Sequence, residues 1–262
     1  MFSRRKIAAL VAEFLGTSVL AFVVLTLSRS QLGFAYFVSL AAGLSVALMG
    51  VALNRDVSFN PALTLAMWTG RRIGTLKALA FIVAQLLGGL AAYALYKYFS
   101  GGHVQPLPSD YDSKILVAEA TGTFVFSFIA AGVAYQRQHW LVRAAASGAG
   151  LTLGIMIASV ASAAFLNPAV ALASNAWVWT TYVLGPVLGA VIGVNLYGLL
   201  FAGNDRSFAF AKAKNANSAA VIEQAEEVAD EQADEDDEEE TVVEKTVKAK
   251  SSKSAKKSKK RK

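Results

Sequence analysis

One apolar phrase built around Asn-Pro-Ala occurs twice in this chain. It reads Ser58-Phe59-Asn60-Pro61-Ala62-Leu63-Thr64-Leu65-Ala66 first and Phe165-Leu166-Asn167-Pro168-Ala169-Val170-Ala171-Leu172-Ala173 second. The two asparagines are 107 positions apart (167 minus 60). A second pair of phrases, Ala12-Glu13-Phe14-Leu15-Gly16-Thr17 and Ala118-Glu119-Ala120-Thr121-Gly122-Thr123, is 106 apart (118 minus 12). Two unrelated words that keep one offset imply a duplicated unit. The fold must therefore contain two equivalent halves, each with an acid early and an Asn-Pro-Ala later.

The solvent of those halves follows from charge. Hydrophobic residues make up 55% of the chain, yet only five acids precede residue 203: Glu13, Asp56, Asp110, Asp112 and Glu119. Uncharged apolar runs of about eighteen residues or more read as membrane-spanning helices. Six such runs occur, roughly Ile7–Leu27, Gly33–Leu53, Thr75–Tyr96, Ile115–Ala134, Leu141–Ser162 and Trp177–Ala202. They give a membrane domain over 1–202, with repeats of about 7–97 and 114–202, and a polar tail over 203–262. The opening Met-Phe-Ser-Arg-Arg-Lys leads into a long apolar run with no polar cleavage region, so the first span is read as uncleaved. The chain has no cysteine, which excludes disulfides and thiol chemistry.

Basic residues near span ends set orientation. With the amino terminus inside, the inner segments carry Arg4, Arg5, Lys6, Arg55, Arg71, Arg72, Lys77, Arg137 and Arg143, and the outer ones only Arg29, Lys97 and Lys114. Six spans return the carboxyl terminus to the inside. Three spans separate the copies, an odd number, so the second copy lies upside down relative to the first. Inverted repeats bring matching elements to the bilayer midplane from opposite faces.

Asparagine is a preferred helix cap, and proline is best tolerated at the first helical position. Each Asn-Pro pair therefore starts a helix. The apolar stretch behind Pro61 ends by Gly70 and that behind Pro168 by about Asn175. At about 1.5 Å per residue such a piece crosses only half of the ~30 Å apolar layer. Two half-helices entering from opposite faces would meet end to end, with both positive ends at one central point. A cation meets a barrier there, while a neutral polar molecule can accept hydrogen bonds from Asn60 and Asn167. Irregular backbone leading into each half-helix is tolerated where it lines a wet cavity or is packed in protein. The expectation is a passive route for small neutral solutes that disfavours ions and protons.

With paired Asn-Pro-Ala motifs and paired Ala-Glu-x-x-Gly-Thr phrases, residues 7–202 resemble the aquaporin family, also called the major intrinsic proteins. The resemblance implies an all-α membrane fold of six transmembrane helices plus two re-entrant half-helices, one pore per subunit and assembly as a homotetramer. Asn60, Pro61 and Ala62, with Asn167, Pro168 and Ala169, take the pore-centre role. Glu13 and Glu119 take the role of acids accepting hydrogen bonds from the re-entrant loops. An acid inside a span is also a candidate proton relay. Symmetric placement, with no lysine or histidine nearby, favours the acceptor role.

One departure from the family pattern bears on selectivity. Members usually carry arginine directly after the second Asn-Pro-Ala, and here that position is Val170. Counting back from Asn167 without gaps places two other filter positions at Ala164 and Ile155, and the position on the second span is Ala42, with the loop before Asn60 about two residues shorter than the family pattern. This set has no charge, no side-chain donor and no ring. It predicts a wider, more apolar constriction than a water-only channel needs, one that suits glycerol. Dewetting or passage of dissolved gas is the rival outcome. Arg55 and Asp56, before the first motif, are read as a solvated or paired loop, with gating of the inner mouth as the alternative.

Gly185, Gly189 and Gly193, and Ala84, Gly88 and Gly89, are read as close-packing positions on the sixth and third spans. Gln85 is expected to bond a neighbouring helix, and Trp177, Trp179 and Tyr182 to form an aromatic belt. The tail carries thirteen acids over Glu223 to Glu244 and ten bases over Lys245 to Lys262, the composition of a segment that buries no core. Lys256 to Lys262 has no stacking aromatics or folded module around it, so no nucleic-acid partner is assigned. His103 and His139 fall in loops on opposite sides, with no metal-ligand spacing and no nucleophile–base pair. The reading is thus of a channel in the cell membrane, with both termini cytoplasmic and its partners small neutral solutes and the lipid bilayer. It has no enzyme activity, metal or cofactor. A secondary transporter with an inverted-repeat fold is the alternative.

Overall fold

The computed structural model describes residues 4–30, 34–53, 57–102, 104–106 and 111–202. The chain divides into two units, Met1–Arg206 and Ser207–Lys262, and everything below concerns the first. The charged tail, His103 and the Arg55–Asp56 pair lie outside the described residues.

Among those residues all regular structure is helical: α1 (Arg4–Ser28), α2 (Ala35–Leu53), α3 (Pro61–Thr69), α4 (Thr75–Ser100), α5 (Ser113–Tyr135), α6 (Trp140–Ala158), α7 (Pro168–Ala173) and α8 (Leu184–Leu200). A π-helical turn, Trp179–Val183, opens α8. Six segments are long and apolar enough to cross a membrane: α1, α2, α4, α5, α6, and α8 with its opening turn. α3 and α7, of nine and six residues, are the short pieces that follow the two Asn-Pro pairs. At about 1.5 Å per residue, neither spans the apolar layer.

The halves pack alike. α1 lies against α4 as α5 lies against α8, and α2 and α6 meet each other. Small residues let these backbones approach. A β-carbon on Gly88 would fall 2.6 Å from the Phe14 carbonyl oxygen, and one on Gly189 would fall 2.0 Å from that of Ala120. Phe14 and Ala120 hold the same place in the duplicated Ala-Glu phrase, so Gly88 and Gly189 correspond. Their separation is 101 (189 minus 88), six fewer than the 107 between the asparagines. The second half is six residues shorter between its Asn-Pro-Ala and this packing glycine, and α7 is three residues shorter than α3.

Each half-helix also reaches into the other half. α3 packs on α8, and α7 packs on α4. At the second of these contacts a β-carbon on Gly89 would sit 2.4 Å from the Ala169 carbonyl oxygen. Substitution there would displace the half-helix itself.

Two expectations need correction. α6 ends at Ala158, four residues before Ser162, because the chain must leave the helix for Ser162 to bond Glu119. Tyr182 does not belong to an exposed belt with Trp177 and Trp179. It is 5% exposed, against 49% and 64% for the tryptophans, and its ring lies 5.0 Å from that of Phe165.

Candidate functional site: two capped half-helices tip to tip

Both asparagines cap their helices from extended backbone. Asn60 Oδ1 accepts from the Ala62 amide and Asn167 Oδ1 from the Ala169 amide, each at 2.9 Å. The remaining half of each side chain crosses to the opposite loop. Asn60 Nδ2 donates to the Leu166 carbonyl and Asn167 Nδ2 to the Phe59 carbonyl, both at 2.8 Å. Phe59 and Leu166, the residues just before the asparagines, have φ of 51° and 53°. That left-handed backbone is unusual for bulky side chains and persists only where the surroundings hold it. A side-chain amide has two N–H donors. One N–H of each is committed to this reciprocal clamp, and a second is left on each asparagine.

The loops before the clamp hang from the two buried acids. Glu13 accepts from the Ser58 and Phe59 amides at 2.9 Å and from Gln85 Nε2 at 2.7 Å. Glu119 accepts from the Phe165 amide at 3.1 Å, the Leu166 amide at 2.7 Å and Ser162 Oγ at 2.7 Å. Both acids are fully buried, and each supplies acceptors to backbone amides that no helix satisfies.

The side-chain surroundings of the acids differ. Gln85 also donates to Ser58 Oγ and Thr64 Oγ1, both at 2.8 Å, so α1, α3, α4 and the first loop share one network. The 101-residue correspondence places Pro186 opposite Gln85 in the second half, a residue with no side-chain donor. Ser162 does a smaller version of this work, since its Oγ also accepts from the Ala164 amide at 2.7 Å.

Two cavities flank the asparagine pair. The first is lined by Glu13, Ser58, Thr64, Arg72, Lys77 and Arg143, among others, and the second by Arg29, Ile155, Ala164, Phe165 and Ser174, among others. Three helices run from one to the other. Glu13 on α1, Val46 and Gly50 on α2 and Ala144 and Ser147 on α6 face the first; Val24, Val38 and Ile155 on the same helices face the second. Ala42 falls between the cavities along α2. Ala42, Ile155, Ala164 and Val170 are all buried and belong to one apolar cluster, in which Ile155 and Ala164 also border the second cavity.

Sequence reasoning missed three features of this region: the Gln85–Ser58–Thr64 network, Arg29 on the second cavity and the basic trio on the first. Serine and threonine within an apolar phrase were a signal for the network. Arg29, at the end of a span, carried no signal beyond its sign.

The geometry can be set beside known proteins. The chain is 35% identical over 212 residues to "Aquaporin NIP1-1" of Zea mays, covering 74% of this chain and 75% of that one. It is 32% identical over 225 residues to "Aquaporin Z" of Photorhabdus laumondii, covering 74% and 97%. Its fold matches the X-ray structure of the aquaglyceroporin from Plasmodium falciparum with a TM-score of 0.63 and 19% identity, over 74% of this chain and 96% of that one. The family model described as Major intrinsic protein matches residues 2–197. With its inverted halves and its capped half-helices, this chain is an integral membrane protein that belongs to the major intrinsic protein family, the aquaporins.

Proposed function

We propose that the chain is a passive channel for water and small neutral solutes such as glycerol, and that it excludes ions and protons. The observation that carries this reading is the asparagine pair between two cavities, each side chain keeping one N–H beyond the clamp. A neutral oxygen passing that point can accept two hydrogen bonds. A cation meets two donors and two helix amino-terminal ends, with no acceptor side chain to replace its water. In this reading Asn60, Pro61, Ala62, Asn167, Pro168 and Ala169 form the pore centre. Glu13 and Glu119 are structural acceptors. Ala42, Ile155, Ala164 and Val170 form the narrow apolar filter.

The subunit works as a homotetramer in the plasma membrane with both termini in the cytoplasm, so Arg72, Lys77 and Arg143 face the inside and Arg29 the outside. The sign distribution of the basic residues supports that orientation. The aquaporin names of the relatives support the solute class.

The test is stopped-flow light scattering on vesicles holding the purified protein, with water and glycerol, for the wild type and Val170→Arg. Wild-type vesicles should pass both faster than empty ones, with flux linear in the gradient. Val170→Arg should lower glycerol more than water, because the added side chain fills space and charges the wall. A parent that passes water and excludes glycerol contradicts the apolar-filter reading, and flux that requires an ion gradient contradicts a channel.

A further inference from the structure

Three bases from three places in the chain border the first cavity. Arg72 follows α3, Lys77 stands in the first turn of α4 and Arg143 in the first turn of α6. The first turn is the positive end of a helix, which favours acids and disfavours bases. Neither α4 nor α6 has an acid there. The one acid among the described lining residues is Glu13, which is fully buried and already accepts from Ser58, Phe59 and Gln85. Two positive helix ends and three like charges thus share one cavity, an arrangement that repels itself.

Two of those charges are met without a carboxylate among the described residues. Arg72 Nη2 donates to the Ala134 carbonyl at 3.1 Å, and its guanidinium lies 4.5 Å from the centre of the Tyr135 ring. Lys77 Nζ lies 5.0 Å from the centre of the Phe81 ring. Trp140 and Ser147 line the same cavity and are half-buried. The Trp140 indole N–H and the Ser147 hydroxyl have no hydrogen-bond partner among the described residues. Each of these open groups is a donor or can act as one, so the cavity asks for a ligand rich in acceptors. Its volume of about 210 Å³ suits a small one.

We propose that the first cavity binds small phosphomonoesters, with a three-carbon polyol phosphate as the type, and that an occupant closes the channel from that side. The phosphate bonds Arg72 and Lys77, Arg143 adds charge, and the polyol end takes the donors of Trp140 and Ser147. Hydrogen bonds between charged partners are the strong kind. The closure half of this inference rests on the channel reading above, and the binding half does not. In the orientation proposed there, the cavity faces the cytoplasm. A neutral polyol that enters passively can leave by the same route, so a phosphoryl transfer that charges it is the class of reaction that retains it. The product of that transfer is the ligand this cavity fits, and its accumulation slows further entry.

The test begins with titration calorimetry on the full chain in neutral detergent, with glycerol phosphate, inorganic phosphate and glycerol at constant ionic strength. Glycerol phosphate should bind tightest and glycerol should give no heat. Arg72→Gln and Lys77→Gln should each weaken the ester about tenfold, the worth of one hydrogen bond to a charged group. Where Arg72→Gln folds poorly, Lys77→Gln carries the test, because Lys77 is exposed and touches only a ring. Stopped-flow water permeability follows, in phosphatidylcholine vesicles with the ester on both sides. Flux through the wild type should fall by more than half at saturating ester, and Lys77→Gln should need about tenfold more ester for the same loss. Phosphatidic acid in the vesicles, without free ester, should leave the flux unchanged. If that lipid slows the flux and the free ester does not, the phosphate comes from a headgroup and the soluble-ester site is overturned. Absent heat, or binding indifferent to both variants, overturns the site. An ester that binds no tighter than inorganic phosphate overturns the part given to Trp140 and Ser147. Specific binding that leaves water flux untouched overturns the closure alone, and a wild type that passes no water in any condition overturns the channel reading and leaves the binding result standing.

Discussion

The two halves of the molecule solve one problem with different parts. In both, an irregular loop must bring a capped asparagine to the centre, and in both a buried glutamate accepts from two consecutive loop amides. Around the first acid stands a network of Gln85, Ser58 and Thr64. Around the second stands Ser162, with Pro186 where Gln85 would be. The backbone requirement is common to the halves, since an unpaired buried amide costs about 1–3 kcal/mol wherever it occurs. The side-chain support is not, because each loop meets a different neighbour.

That comparison is open to attack by mutation. The largest effect belongs to Glu119→Ala, which leaves the Phe165 and Leu166 amides without acceptors and should cost roughly 2–6 kcal/mol, about twice the single-amide penalty. Thermal unfolding in detergent, followed by loss of monodisperse protein, reads it. Glu13→Ala should cost less, near 1–3 kcal/mol, because the Gln85 side-chain oxygen can turn to accept one of the two freed amides. Equal losses would show that the network adds nothing.

The helix contacts sharpen the same comparison. Gly189→Ala should destabilise more than Gly88→Ala, within the usual 1–3 kcal/mol of overpacking, since its new methyl meets a backbone oxygen at 2.0 Å and not 2.6 Å. The reverse order in a melting series would mean that the second half relaxes more easily than its packing implies. The smallest effect is expected from Gln85→Leu against Ser162→Ala. Each removes a donor to an acid and should cost about 1 kcal/mol, with the Gln85 change larger because it also takes a donor from Ser58 and Thr64, whose hydroxyls keep their bond to each other. A silent Gln85→Leu would reduce the first network to packing.

What was legible in the sequence had local causes. Proline and asparagine specify a helix start through their own backbone chemistry, so the starts of α3 and α7 could be read one residue at a time. The buried acids announced themselves because a charge in an apolar run has few tolerable roles. The rest depends on approach between distant segments. Tyr182 reads as an interface aromatic in its own run, and only the arrival of Phe165 makes it core. Gln85 reads as a helix-to-helix bond until Ser58 and Thr64 are brought to it from the loop and half-helix. The constant offset between the repeats held through the Asn-Pro-Ala motifs and failed by α8, because the loss of six residues behind the second motif leaves no mark until the glycines can be superposed. Arg29 faces a cavity made by α1, α2, α6 and the α7 loop, so no stretch of its own neighbours foretells it.

The exchange of half-helices between the repeats bears on how the chain is made. α3 is synthesised early, but its seat lies on α8, which is synthesised last; α7 finds its seat on α4 already waiting. A nascent chain halted after its third crossing would hold a capped stub tied to α4 through Gln85 and Thr64 but lacking its seat on α8, whereas the second stub docks as soon as it emerges. Biogenesis of the first repeat is thus provisional until the final crossing is inserted, and two separately expressed halves should be sound only when they are produced together.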